Sequence, residues 1–178
     1  MQRNKKQTMD IKLKNVKIGL AFSEETICFN ADIYVNGVKA GYAENDGHGG
    51  CTFYNAYENK RDLIEQAEKH CLTLPPYVSG TFTLPMNLEM FIDNIIDDEV
   101  NKKEVAKFEK KKVTAMVKNL IFNKGEKDQF SMIAWKGVTI AQMVSVPNGK
   151  AVLTKKIAEL KKDGYTILNT NIPKEICG

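Results

Sequence analysis

One short stretch concentrates the groups that can do chemistry. Asn45-Asp46-Gly47-His48-Gly49-Gly50-Cys51 holds three of the chain's twelve glycines and one of its two histidines. Glycine lets the backbone take positive φ and leaves amide N–H groups uncovered, while Asn, Asp and His add acceptors, donors and a ring that titrates near neutral pH. With Arg61 expected on a helix behind them, Asn45, Asp46, Gly47, His48, Gly49 and Gly50 form a candidate binding set for an anion or a nucleotide-like ligand. The competing reading is a tight turn in which Asn45 and Asp46 cap their own backbone.

Catalysis draws less support from the same residues. No Gly-x-Ser-x-Gly is present, and Cys51 lies three residues from His48 on an expected strand end, where the two side chains point to opposite faces. The glycines lack a following lysine, and the next expected helix starts too far downstream for a phosphate loop or a dinucleotide fingerprint, so no cofactor is expected. A metal-dependent hydrolase centred on Asp46 and His48 is an alternative, with Asp32 or Glu44 able to complete a ligand set. A zinc set of Cys28, His48, Cys51 and Cys71 can be drawn, but its spacing matches no common zinc pattern, and free thiols are expected at all four cysteines, Cys177 included.

The elements that must position this loop are legible on both sides of it. Apolar residues alternate at Ile11 and Leu13 and again at Val16, Ile18, Leu20 and Phe22, which predicts a strand over 10–22 with a bulge near Asn15. Phe29, Ala31, Ile33 and Val35 alternate with Asn30, Asp32 and Tyr34, and Asn36-Gly37 supplies the two residues of a type I′ hairpin. That turn pairs Val35 with Val38, Ile33 with Ala40 and Ala31 with Tyr42. A third short strand is expected over 51–54. Asn59 is placed to cap a helix with Asp62 at its third position, and Leu63, Ile64, Ala67, Cys71 and Leu74 recur at helical spacing until Pro75 stops it. His70 reads as a helix-end histidine.

A connector rich in Pro, Gly and Thr follows, and Pro85 is expected to open a second helix with Leu88, Phe91, Ile92, Ile95 and Ile96 on one face, either continuous to 118 or broken near Val100. After it come a strand over 130–135, an ambiguous segment over 138–146, a helix capped by Asn148, a left-handed Gly164 and a last strand over 165–168. Trp135 is assigned to the core. The fold class is therefore α+β: an antiparallel sheet with one packed helix over 10–80, a long charged helical segment over 81–120 and a smaller C-terminal αβ unit over 121–178, behind a disordered N-terminus over 1–9.

Charge and composition narrow the partners. The 178 residues are 43% hydrophobic, an ordinary content for a globular chain, and no apolar run is long enough to span a bilayer. No signal peptide is expected, and a cytoplasmic location follows as an expectation. The net charge of +4 lies entirely in the second half: residues 1–85 balance at ten bases and ten acids, and residues 86–178 carry sixteen bases against twelve acids. Residues 86–100 hold five acids and no base, and residues 101–118 hold seven lysines and two acids. Lys103, Lys107, Lys110 and Lys111 share a helix face and form an alternative, nucleic-acid-binding site. Only two of the twenty-six bases are arginine, which disfavours sequence-specific duplex reading.

The runs Phe29-Asn30-Ala31-Asp32-Ile33-Tyr34-Val35-Asn36-Gly37 and Asn45-Asp46-Gly47-His48-Gly49-Gly50, with Trp135-Lys136-Gly137 and Ile167-Leu168-Asn169-Thr170-Asn171, resemble an uncharacterised family of small bacteriophage and mobile-element accessory proteins. The resemblance transfers no activity. It implies a setting: the cytoplasm of a bacterial host, where such proteins antagonise host defence by sequestering a nucleotide signal or blocking a protein. The order of strand, Asn-Gly hairpin, short strand and helix over 26–74 is also similar to the double-stranded RNA-binding domain, although Asn59-Lys60-Arg61-Asp62 offers only two bases where that family docks a lysine-rich helix start. Together these readings favour a non-catalytic binding module over an enzyme. Its expected partners are a nucleotide-like small molecule or a host protein, with nucleic acid and a homo-oligomeric second copy as further possibilities and no membrane.

Overall fold

A computed structural model describes residues 9–177 and shows an α+β protein with antiparallel sheets. The expected disorder of residues 1–9 falls, Met9 apart, outside the described residues. The chain divides into two compact units, one ending at Asn101 and the other beginning at Lys102.

The first unit is a four-stranded meander of β1 (Ile11–Ile18), β2 (Phe29–Val35), β3 (Val38–Asn45) and β4 (Phe53–Ala56), in that spatial order. Alternation puts Phe29, Ala31, Ile33 and Val35 on one face, where they are buried with Ile11, Ala40 and Ala43. Against that face pack Ile64, Ala67 and Cys71 of α1 (Arg61–Cys71) and Leu88, Ile92 and Ile96 of α2 (Leu88–Met116). The expected bulge is present: register shifts between Lys14 and Lys17, and Asn15 takes φ 53° while its side-chain amide donates to Asp32 at 2.7 Å. Asn36 and Gly37 both have positive φ, as the type I′ turn requires.

Several expectations are corrected. Val35 does face Val38, but Ile33 pairs with Gly41 and Ala31 with Ala43, because a second bulge inserts Ala40 into β3. Gly41 has no room for a side chain: a Cβ there would lie 2.2 Å from the Asn55 carbonyl oxygen of β4. β1 ends at Ile18, and Leu20–Phe22 is a 3-10 turn with Leu20 and Phe22 exposed. Asn59 takes φ 61° and does not cap; α1 starts after Lys60 without a side-chain cap. The supposed connector contains a hairpin of β5 (Tyr77–Ser79) and β6 (Phe82–Leu84), and α2 begins at Leu88, with the Asn87 side chain accepting the Met90 N–H at 2.7 Å.

In the second unit, which includes α2 from Lys102 onward, β7 (Asn119–Asn123) lies between β8 (Ser131–Ala134) and β9 (Thr166–Ile167). β7 has no counterpart in the expected elements, yet Leu120 and Ile121 are completely buried. The segment over 138–146 resolves into α3 (Ile140–Ser145), opened by a capping box of Thr139 and Gln142. α4 (Pro147–Lys162) starts with Pro147 at its first turn, so Asn148 is inside the helix and not its cap. Gly164 is left-handed at φ 82°, and α5 (Lys174–Cys177) closes the described chain. Trp135 packs against the core of Leu120, Ile140, Leu153 and Ile157. Beyond β9, Asn169 extends the ladder with its side chain, accepting the Ile121 N–H at 2.7 Å and donating to the Asn119 carbonyl at 3.1 Å. Among the described residues no helix is long and apolar enough to cross a membrane.

Candidate functional site

The 45–51 loop leaves the end of β3 and returns to β4, and most of its polar groups hold its own shape. The Asn45 side-chain oxygen accepts the Thr26 hydroxyl at 2.7 Å and the Gly47 N–H at 2.9 Å. The Gly49 N–H donates to the Thr26 hydroxyl oxygen at 3.3 Å, and the His48 N–H to Asp46 Oδ1 at 3.2 Å. The Gly47 carbonyl gathers the N–H groups of Glu24 at 2.8 Å, Glu25 at 3.1 Å and Thr26 at 3.4 Å, tying the loop to the segment before β2. Gly47 is fixed by two demands: its φ is +90°, and a Cβ would sit 2.2 Å from the Phe22 carbonyl oxygen. The expectation of three open glycine amides is therefore corrected. Gly47 and Gly49 spend their N–H groups inside the loop, and Gly50 alone of the three keeps its N–H without a partner among the described residues.

What the loop offers outward are the side chains of Asp46 and His48, both exposed, with His48 Nδ1 3.3 Å from Glu24 Oε2. Arg61 is not brought to them. It opens α1 beyond the far end of β4 and reaches back to Glu65 at 3.3 Å in an exposed pair.

The loop separates two open depressions. One, of about 680 Å³, lies over the sheet face turned away from the helices and is lined by Lys17, Asn30, Glu44, Asp46, Cys51 and Phe53 among others. The other, of about 440 Å³, lies on the helix side and is lined by Glu24, Glu25, Thr26, Thr52, Asp93 and Asp97 among others. On that side the buried Thr52 binds α2 directly, its N–H donating to Glu89 at 3.1 Å and its hydroxyl to Asp93 at 2.5 Å. Burial, with the like charges of Glu89 and Asp97 behind it, pushes the Asp93 carboxyl above its usual value. Glu89 also holds the Cys51 thiol protonated, by a hydrogen bond and by its charge, which leaves Cys51 a poor nucleophile. An anion is repelled from the helix side and meets its cation, Lys17, only on the open side.

Among the described residues no three His, Cys, Asp or Glu side chains converge on a point that could hold a metal ion, and all four cysteines are free. Asp32, a candidate third ligand beside Asp46 and His48, is committed elsewhere: it takes hydrogen bonds from Asn15, Tyr57 and Lys39, and these hold its carboxyl below the usual range. In the second unit Lys103, Lys107, Lys110 and Lys111 are exposed along α2, with Lys111 5.6 Å from the Phe130 ring centre and the first three free of carboxylate partners among the described residues. Lys17, Asn30 and Phe53 escaped the sequence reading. Their signal was the polar half of the same period-two alternation whose apolar half defined the strands.

A scan against protein-family models finds no matching family, and searches of curated proteins and of solved structures find no match.

Proposed function

We propose that the protein is a non-catalytic binding module whose ligand sits in the open depression beside the 45–51 loop, with Asp46 at its wall and the exposed His48 next to it in the loop as polar contacts. The observation that carries this reading is the division of labour within the loop. Asn45, Thr26 and the Gly47 and Gly49 amides are consumed in fixing its shape, while Asp46 lines an open concavity of about 680 Å³ and His48 is exposed next to it in the loop. Preorganised polar groups at the rim of a partly apolar cavity are what small-ligand recognition needs. The resemblance to phage accessory proteins supplies the setting, a bacterial cytoplasm in which sequestering a nucleotide-like signal or covering a host protein opposes host defence.

Catalysis is the weaker reading because the Cys51 thiol is disfavoured as a thiolate and Asp46 with His48 gains no third ligand among the described residues. The test is a thermal-shift titration of the full chain against mono- and dinucleotides, wild type beside Asp46→Ala/His48→Ala. Nucleotides should raise the melting temperature of the wild type alone, while both proteins melt alike without ligand. Equal shifts in both would end the assignment to this loop.

A second reading has its own observation. Lys103, Lys107 and Lys110 on α2 are exposed, aligned and without a carboxylate partner among the described residues, which suits phosphates. It requires affinity for nucleic acid that falls with salt and is lost in Lys103→Gln/Lys107→Gln/Lys110→Gln.

A further inference from the structure

The sheet of the first unit has a second face, and its composition is unusual for one left to water. Register places Lys14 opposite Asp32, Lys17 opposite Asn30, Asp32 opposite Tyr42, and Glu44 opposite Phe53. The face away from α1 and α2 thus carries Lys12, Lys14 and Lys17 along the edge strand β1, and Tyr42 and Phe53 across β3 and β4, with Tyr57 just past the end of β4. A solvated sheet face is expected to carry Thr, Lys and Glu; here Phe53, which has no polar atom to keep wet, is 53% exposed.

The rings form a row. Tyr57 to Tyr42 is 6.0 Å between centres and Tyr42 to Phe53 is 6.1 Å, and both pairs are tilted, at 39° and 51°, so no ring is stacked flat on its neighbour, while Lys39 stands 4.9 Å over one face of Tyr57. Asp32 does not spoil the face for an anion. Lys39 neutralises it at 3.0 Å, and the Tyr57 hydroxyl donates to it at 2.9 Å, which also fixes the Tyr57 ring. Glu44 and, where the loop meets the face, Asp46 are the acids without a cation partner among the described residues, against Lys14 and Lys17. Lys14 stands 4.1 Å above the Tyr34 ring and so is held over the surface rather than trailing into solvent.

We infer that this face binds single-stranded nucleic acid, with phosphates along Lys14 and Lys17 on β1 and unstacked bases on Tyr42, Phe53 and Tyr57. Tyr42 on β3 lies two strand spacings from β1, roughly 10 Å, and Phe53 on β4 three, roughly 14 Å, so a strand laid across the sheet meets both rows. Flat rings interleaved with cations accept any base that is free of a duplex, because every base has a π-face. A duplex keeps its bases inside and gains nothing from the rings. The inference goes beyond the loop reading: Lys17 and Phe53 also line the depression that Asp46 borders, but Lys14, Tyr42 and Tyr57 lie outside it, and neither Asp46 nor His48 belongs to the ring row.

The test is fluorescence anisotropy of the full chain with labelled oligo-dT and oligo-U of about 20 nucleotides, and with a duplex of the same length, at low salt. Binding of either single strand more tightly than the duplex supports the inference, and the better-bound strand tells DNA from RNA. Its affinity should fall with salt with a log–log slope of about −2 for two to three neutralised phosphates. Phe53→Ala should weaken binding roughly five- to a hundred-fold, and Phe53→Trp should retain it. Because Phe53 is exposed, both variants keep the fold, and an unchanged melting temperature checks this. Lys14→Gln/Lys17→Gln should flatten the salt slope. Lys103→Gln/Lys107→Gln/Lys110→Gln should bind as wild type, and Asp46→Ala/His48→Ala, which removes an acid beside Lys17 and Phe53, should bind strands at least as tightly; loss of nucleotide shifts in the latter with retained strand binding would separate the two sites. Absence of single-strand binding at low salt, duplex binding of equal strength, or a Phe53→Ala variant with wild-type affinity would overturn the inference and leave the face to a protein partner or to water.

Discussion

The two faces of the four-stranded sheet come from the same alternating residues and end in opposite conditions. On the inner face Ile33, Val35, Ala40 and Ala43 are completely buried beneath α1 and the start of α2; on the outer face Phe53, Tyr42 and the β1 lysines meet solvent. The inner face is explained by the hydrophobic effect alone, since each position is apolar and each is covered. The outer face is not: Phe53 is exposed and Tyr42 half-exposed, with lysines on the same face. Where a strand's two halves differ in this way, the covered half reports how the chain folds, and the uncovered half is where to look for what it binds.

The largest expected effect tests the inner face. Ile33→Ala should cost about 2–5 kcal/mol in denaturant unfolding, because a completely buried side chain leaves a cavity, whereas Phe53→Ala on the outer face should cost less than about 1 kcal/mol. Comparable losses at the two positions would erase the distinction. Next in size is the loop between the faces. Gly47→Ala should cost about 1–3 kcal/mol or more, since strain at φ +90° is joined by collision with the Phe22 carbonyl; Gly50→Ala, strained at φ +100° but facing open space, should cost less. Equal costs would mean the loop moves away from Phe22 at little expense.

The smallest effects concern acids on opposite sides of the sheet, and their signs should differ. Asp32, on the outer face, has its carboxyl held below 3.8, first by the Asn15 amide, with hydrogen bonds from Lys39 and Tyr57 adding to it. Its stabilisation is present above that value and is lost as pH falls through the lower folded value. Asp93, on the helix side, is raised above 3.8 by burial and by its acidic neighbours, so its contribution is present below 3.8 and lost as pH rises through the higher folded value. Asp32→Asn should therefore lower the melting temperature at neutral pH, and Asp93→Asn should raise it by a degree or two, about what a few tenths of a kcal/mol gives. Both differences should fade in acid, and melting curves at pH values on either side of 4 would show it.

Local signals carried much of the first unit and one turn of the second. The Asn36-Gly37 turn, the bulge at Asn15 and the left-handed Gly164 are each set by a residue's own φ preference, so sequence alone places them. The register of β3 was not legible, because the bulge at Ala40 depends on β4 pressing its Asn55 carbonyl against Gly41, a contact that local propensity does not contain. β7 was missed because only Leu120, Ile121 and Phe122 separate its flanking asparagines, too short a run to count, and its burial comes from neighbours such as Ile140 and Leu153. At the site, the glycine-rich loop was found by composition, but whether its amides were open depended on Thr26, nineteen residues before Asn45. Arg61 was drawn into the set by sequence proximity; β4 carries the chain to the opposite end of the sheet first.

The central claim, that this is a binding module using the depression beside the 45–51 loop, is tested most directly by native mass spectrometry of the full chain, as purified and after incubation with a panel of nucleotides. The account predicts an added mass of nucleotide size on the wild type that is absent from Asp46→Ala/His48→Ala with its melting temperature preserved. A wild-type chain that stays at its bare mass under every addition, or a variant that retains the added mass, would contradict it.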